Sequence, residues 1–443
     1  MFVYRQRTFS KIVIFSIILA IIIGTALLKL PISQNIPVPL LDCLFTATSS
    51  ISVTGILTVP FDSFTLFGKI IIALLIQIGG IGLVTLYLFL FTLFSSKLAI
   101  TTKIMVGQIF ELESLKNIKQ VLSFIILFTL TLESIGALII YFIISSNYST
   151  KEAIFHSIFH SISSFCSAGL SSFENNMINF QQNIPMLLIT GILILSGTLG
   201  FIMWYELFLY IKNRINHKRL SLSLTTKVIL STTTALILVA TLLLIMLESY
   251  NFFDFKSFGI TLLNMLFNAI SYRSTGFTTI NLEHAQIATI FLILIYGFIG
   301  SSPGSTGGGI KVTTFAIFIA TIRSVIKSRT SIELKMRKIP QDEIFKALAI
   351  LSLSFSWIIF CTFILLLTEK DKNFSQLFFE TLSTFATLGV ATDTTPQLSI
   401  YGKLIVIANM IVGRIGTLTI LLAFEKGNEK PELKYPEERI TIN

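Results

Sequence analysis

Two kinds of segment alternate along the chain. Long apolar runs lie near residues 11–30, 67–96, 120–145, 185–211, 225–248, 285–322, 343–368 and 399–424. A bilayer span takes about 20 apolar residues, so each run is long enough to cross. The runs come in pairs. Between the members of each pair sits a shorter segment richer in Ser, Thr and Gly.

The short segments repeat. They read Phe45-Thr-Ala-Thr-Ser-Ser-Ile-Ser-Val-Thr-Gly55, Phe159-His-Ser-Ile-Ser-Ser-Phe-Cys-Ser-Ala-Gly169, Phe267-Asn-Ala-Ile-Ser-Tyr-Arg-Ser-Thr-Gly276 (one residue shorter) and Phe379-Glu-Thr-Leu-Ser-Thr-Phe-Ala-Thr-Leu-Gly389. Their glycines recur at intervals of 114, 107 and 113 residues. The pattern predicts four copies of one unit of span, short segment and span. The units are 1–96 (pore loop 37–58), 97–211 (pore loop 150–172), 212–322 (pore loop 254–279, broken second span 300–309) and 323–424 (pore loop 373–393), followed by a tail over 425–443. The expected fold is an all-α membrane protein: four parallel span–pore helix–span repeats around a central pore, with eight spans and four re-entrant pore loops.

Two spans per unit return the chain to the same side, so the segments between units share one face of the membrane. They are basic: the N-terminus, 97–119, 212–227, 323–346 and the tail together hold 23 of the 33 Lys and Arg. The positive-inside rule puts that face, and both termini, in the cytoplasm. The short segments then dip in from outside.

Composition agrees with this picture. The chain is 53% hydrophobic and 13% charged, with 40 Phe and a mean hydropathy of +0.82, against roughly 25% charged residues in soluble domains. The net charge of +10 reads as topology rather than nucleic-acid binding. Cys43, Cys166 and Cys361 are widely spaced and odd in number, which argues against a disulfide framework. Arg5, Arg7 and Lys11 precede the apolar run 12–28 as in a signal peptide, but no small-x-small cleavage site follows, so a retained span is expected. No Ser-His-Asp pattern, zinc motif or nucleotide loop marks an enzyme.

A segment that enters and leaves on one side must keep its backbone polar groups off lipid. Helix starts are expected at Ser149-Thr150, Asp254 and Asp371 to Ser375. Each short helix would point its partly negative C-terminus at the membrane centre, which favours a cation there. The outgoing limb passes through the glycine, whose backbone freedom lets successive carbonyls point one way. Rings of such carbonyls replace the hydration shell of a monovalent cation. Val53, Thr54, Gly55, Ser167, Ala168, Gly169, Ser274, Thr275, Gly276, Thr387, Leu388 and Gly389 are the candidate filter, binding K+ through backbone carbonyls. No acidic ring sits there, which argues against a divalent ion. Single Ser/Thr-Gly turns are commonplace; four in register are not.

The second span of each unit contains a break, at Gln77–Gly82, Ser196–Gly200, Gly300–Gly309 and Gly413–Gly416. The third, Gly300-Ser-Ser-Pro-Gly-Ser-Thr-Gly-Gly-Gly309, cannot hold a helix. Unwound backbone survives at that depth only against protein or water. Gly300, Pro303, Gly304, Gly307, Gly308 and Gly309 are therefore a candidate gate, with Lys311 anchoring the inner end; a simple packing kink is the competing reading. Arg414 is a charge inside an apolar span and a functional candidate by default. It is expected to face the pore and oppose cations, against a structural ion pair as the alternative. Arg273 is expected to pair with a carboxylate, with Glu380 as candidate. Glu133 and Glu206 read as proton or sodium sites or as packing hydrogen bonds. His156 and His160, one turn apart, lack a third metal ligand and read as packing residues.

The fourfold plan, with one glycine closing each pore segment, resembles the Trk/Ktr/HKT potassium transporter superfamily over nearly the whole chain. The first span begins near Lys11 without a preceding hairpin, which is most similar to the bacterial Ktr-type membrane subunits. The resemblance implies potassium uptake across the bacterial cytoplasmic membrane, a pore-obstructing loop at 300–309, an Arg at position 414, and potassium preference from Gly55. It also implies a homodimer seated on a separate cytosolic ring of nucleotide-binding subunits, no covalent cofactor, and sodium as an open possibility for coupling or activation. The basic stretches 323–346 and 212–227 are candidate docking surfaces or topology signals. The alternative function is a carrier-type secondary transporter of another small solute or sodium.

Overall fold

The computed structural model describes residues 2–82, 85, 86, 89, 118–217, 221–252, 258–282, 284–329, 331–390 and 394–424. The far half of the expected 67–96 span, most of the 97–119 connector, the expected helix start at Asp254, the end of the 373–393 pore loop and the 425–443 tail lie outside the described residues.

Among the described residues, four unbroken helices contain stretches long and apolar enough to cross a membrane: Ser10–Lys29, Ile118–Ile144, Leu224–Glu248 and Gln341–Thr368. They are the first member of each apolar pair, in helices α1 (Phe2–Lys29), α4 (Ile118–Ile144), α8 (Leu224–Phe252) and α12 (Gln341–Thr368). Their outer faces carry exposed Phe15, Leu127, Leu242 and Phe363, as suits lipid contact. The last starts after Pro340 with Asp342 and Glu343 in its first turn, both favoured at a helix N-terminus.

The short helices lie inside this ring: α2 (Leu40–Ser52), α5 (Thr150–Phe165), α9 (Phe258–Ser271) and α13 (Phe374–Ala386). α5 starts where the sequence places it, with Ser149 and Glu152 forming a capping box, and α13 does the same with Asn373 and Gln376. These helices are polar yet buried. In α2 and α5, hydroxyls turn onto the helix's own carbonyls: Thr46 to Asp42 at 2.8 Å, Ser50 to Thr46 at 2.7 Å, Ser52 to Thr48 at 2.7 Å and Ser164 to His160 at 2.6 Å. Such back-bonding keeps a Ser/Thr-rich helix viable away from water.

The second spans are interrupted, and more narrowly than the glycine clusters suggest. α3 (Leu66–Ile81) runs through Gly79 and Gly80 and stops at Gly82. α6 (Ile184–Thr198) and α7 (Phe201–Ile215) meet at a 98° bend. α14 (Ile400–Ile415) and α15 (Thr417–Phe424) meet at Gly416. Gly82, Gly200 and Gly416 share one conformation, with φ of 87°, 93° and 90° and ψ of 125°, 138° and 137°, which a residue with a β-carbon adopts only under strain. In the third unit, α10 (Ile287–Phe298) and α11 (Val312–Ile326) are separated by a loop over 299–311. A small hairpin of β1 (Glu333–Leu334) and β2 (Arg337–Lys338) follows α11.

Three glycines that remain helical in the second spans serve close approach. A β-carbon on Gly79, Gly197 or Gly413 would lie closer than 3.0 Å to the carbonyl oxygen of Ile51, Phe165 or Phe385 respectively. The broken span therefore presses directly on the inner end of its own short helix. Gly197→Ala is expected to cost about 1–3 kcal/mol and to lower the thermal midpoint of the detergent-solubilised protein. Gly259→Ala, where a β-carbon meets nothing within 4 Å, is the control and should leave the midpoint unchanged or raised.

Candidate functional site: a carbonyl ring above a strapped loop

The four glycine-bearing segments meet around one axis. Gly55, Gly169, Gly276 and Gly389 all have positive φ, at 85°, 69°, 81° and 76°. A β-carbon on Gly55 would lie closer than 3.0 Å to the carbonyl oxygen of Ala168. One on Gly169 would meet Thr275, one on Gly276 would meet Leu388, and one on Gly389 would meet Thr275 and Thr54. The residue before each glycine thus presents its carbonyl oxygen to the preceding unit's glycine, and the first unit's Thr54 closes the ring on Gly389 of the fourth. Two positions before the glycine, Val53, Ser167 and Thr387 are left-handed, at φ of 57°, 60° and 50°. Ser274 does not share this turn, because its copy is one residue short.

One serine pins each segment. The N–H groups of Thr54, Ala168, Thr275 and Leu388 donate to the carbonyls of Ser49, Ser163, Ser271 and Ser383 at 2.8, 2.7, 2.9 and 2.9 Å. Three of these side chains also hold the residue after the glycine: Ser49 Oγ accepts from Ile56 N at 2.9 Å, while Ser163 and Ser383 donate to Leu170 and Val390 carbonyls at 2.7 and 2.5 Å. These braces escaped the sequence reading, yet their trace was present. Each serine follows the repeat phenylalanine by four positions in every copy, including the short one.

The outgoing limbs are tied back to the short helices. Thr58 donates to Asp42 at 2.7 Å, His156 Nδ1 lies 2.9 Å from Ser172 Oγ, Asn268 and Thr279 exchange bonds of 2.7 and 3.0 Å, and Thr394 and Thr395 donate to Glu380 at 3.0 and 2.7 Å. In three units the tied residue is the third after the glycine. Lys403 adds an ion pair to Asp42 at 2.7 Å. The expected pairing of Arg273 with Glu380 is not formed, because the carboxylate is held on its own limb. Arg273 is fully buried, and its guanidinium nitrogens have no hydrogen-bond partner among the described residues.

The glycine-rich loop lies below this ring and is strapped to the second unit. Its neck closes on itself: Ser301 N donates to Gly308 O at 3.3 Å, Ile310 N to Phe298 O at 3.2 Å and Val312 N to Ser301 O at 3.1 Å. Its tip fills the break between α6 and α7. Ser302 N and Thr306 N donate to the carbonyls of Thr198 and Gly197 at 3.1 and 3.2 Å, and Phe201 N donates to Gly304 O at 3.0 Å. These are the groups a helix end leaves without intrahelical partners. Thr306 Oγ1 bonds Phe165 O at 3.2 Å and lies 3.0 Å from Ser167 Oγ, and Gly308 N donates to Thr387 Oγ1 at 3.0 Å. Lys311 Nζ donates to Gly307 O at 2.9 Å.

Arg414 closes the arrangement. Its guanidinium donates to the carbonyls of Thr306, Gly79 and Gly80, joining α14 to the loop and to α3. All these partners are backbone oxygens, so no ion pair neutralises the charge among the described residues. Arg414, Lys311, Gly304, Gly307 and Ile51 line a cavity of about 320 Å³ under the ring. The sequence named Arg414 and the loop separately; the fold joins them through Thr306, which it did not single out.

The remaining polar candidates make hydrogen bonds between neighbouring elements. Glu206 accepts from Ser223 and Thr226 and caps the start of α8. Glu133 accepts from Gln77 Nε2 at 2.9 Å, linking α4 to α3. His160 Nε2 lies 3.1 Å from Thr190 Oγ1. No cluster of potential metal ligands occurs among the described residues, and the three cysteines are free and buried.

Comparison with known proteins follows the same lines. A family model described as TrkH, cation transport protein, matches residues 2–434. The Ktr system potassium uptake protein B of Vibrio alginolyticus is 33% identical over 97% of this chain and 94% of its own, and that of Bacillus subtilis 32% over 95% and 94%. The potassium/sodium uptake protein NtpJ of Enterococcus hirae is 29% identical over 95% and 94%. The crystal structure of the potassium transporter TrkH from Vibrio parahaemolyticus shares the fold, with a TM-score of 0.73 at 20% identity, covering 95% of this chain and 85% of that one. A chain matched almost end to end, whose four glycine segments close into one ring, belongs to the TrkH family of cation transport proteins.

Proposed function

We propose that this protein takes up potassium through the ring formed by the segments ending at Gly55, Gly169, Gly276 and Gly389. The closed succession of carbonyl oxygens, each against the preceding unit's glycine, carries this reading. Neutral oxygens arranged this way replace a monovalent cation's hydration shell, while the inward-pointing short helices add partial negative charge from the inner side. The potassium uptake named for the relatives supports the same ion. Thr54, Ala168, Thr275 and Leu388 supply the ring described above, with Val53, Ser167, Ser274 and Thr387 at the level below.

The loop and Arg414 form the gate in this reading. Thr306 is the latch, since its oxygens engage Arg414, Phe165 and Ser167 at once. With the latch closed, a positive guanidinium stands beneath the ring and opposes cation passage. By resemblance to the Ktr-type subunits, the protein works as a homodimer in the bacterial cytoplasmic membrane, with both termini and the basic segments inside. A cytosolic nucleotide-binding ring then docks on 212–227 and 323–346. Sodium acts at most as a coupling or activating ion.

Gly55→Ser tests the filter: in proteoliposomes its potassium-over-sodium flux ratio should fall by about tenfold or more, as one distorted ring removes size and field discrimination. An unchanged ratio in a monodisperse variant overturns the assignment. Arg414→Gln tests the gate. Loss of charge-assisted bonds worth about 1.5–3 kcal/mol each should raise potassium flux about tenfold or more, and deletion of 302–306 should raise it also. Unchanged or reduced flux in well-folded protein removes the latch from the mechanism.

A further inference from the structure

A second cavity, of about 540 Å³, opens on the outer side of the third unit between α8, α11 and the β1–β2 hairpin. Nothing in the transport path uses it. Its two ends differ in chemistry. One end is framed by Arg323, Lys327, Arg329 and Lys335, with hydroxyls of Ser324 and Ser331 beside them. The other runs up the span along Leu236, Val239, Phe315 and Ile319 and reaches Tyr296.

The charges at the basic end are largely uncompensated. Arg329 pairs with Glu333 at 3.5 Å. Arg323, Lys327 and Lys335 have no acidic partner among the described residues. α8 enters the membrane from the basic face and α11 leaves toward it, so the cationic end lies at headgroup depth and the apolar end at acyl-chain depth. Val239 and Ile322 are exposed beside the cleft, which leaves it open sideways to lipid.

We propose that this cleft binds an anionic phospholipid of the basic-side leaflet. The phosphate sits among Arg323, Lys327 and Lys335, and an acyl chain lies along α8 and α11. The pairing of a cationic pocket with an apolar wall fits a lipid, whereas free phosphate would have no use for the wall. The cytosolic ring proposed above would reach 323–346 from the aqueous side and leave the intramembrane half of the cleft to a lipid. The site also touches the gate: α11 begins at Val312, directly after the 299–311 loop, so a lipid wedged against it stiffens the helix on which the loop ends.

Native mass spectrometry of the full-length protein, titrated with phosphatidylglycerol or phosphatidylcholine, tests this. Phosphatidylglycerol should bind in preference to phosphatidylcholine. Each surface cation contributes about fivefold to anionic-lipid binding, so Arg323→Gln with Lys327→Gln should weaken phosphatidylglycerol by about thirtyfold. Lys212→Gln with Arg214→Gln, on another basic stretch, should not. Ala235→Trp, which fills the cleft wall with every charge intact, should also abolish binding; if it misfolds, the double glutamine variant still decides. Millimolar inorganic phosphate should fail to displace the lipid. Equal retention of the two lipids, wild-type affinity in the double glutamine variant, or displacement by phosphate overturns the proposal. So does a shift from dimer to monomer in that variant with lipid retention unchanged, which would assign the cleft to a second copy.

Discussion

Backbone that is neither helix nor sheet cannot face lipid, and this requirement organises the whole molecule. Four segments leave helical geometry at membrane depth, and so does each second span. Every freed N–H and carbonyl therefore needs protein, water or an ion. The unbroken first spans provide the outer wall. Within it, the freed groups of one unit are satisfied by the next: the loop of the third unit fills the break of the second, and Arg414 of the fourth caps carbonyls of the first and third.

The same requirement explains why glycine appears in two roles. In the ring it allows the positive φ that turns carbonyls inward, and the lack of a β-carbon leaves space for the neighbouring unit's oxygen. On the broken spans it allows contact with the end of a short helix. One property, a missing side chain, thus sets both the ring's geometry and its distance from the glycine-rich loop. Two of the carbonyls that Arg414 takes belong to Gly79 and Gly80, at the close approach itself. The ring and the Arg414 contacts are built on shared backbone.

Much of the site was legible because the chain repeats itself. Phe, Ser and Gly in register fix where the four segments lie, and the serine position even shows where the third copy lost its residue. The capping boxes at Ser149 and Asn373 were readable as helix starts, since a cap is a local interaction. Individual partners were not readable. Arg273 and Glu380 have opposite charges in neighbouring segments, yet Glu380 is held by Thr394 and Thr395 on its own limb. His156 and His160 read as packing residues, but nothing local names Ser172 and Thr190 as the hydroxyls they meet.

By itself, the sequence determined the class, the number of units, the position of every ring glycine and the presence of one unwound loop. These follow from hydrophobic runs and from backbone chemistry, which depend on local residue type. Tertiary structure alone decided the cyclic order of the ring, the strapping of the loop to the second unit, and the meeting of Arg414 with Thr306. Those partners are more than 100 residues apart, and no local pattern encodes them. They are selected by which freed backbone groups come within reach once the units have packed.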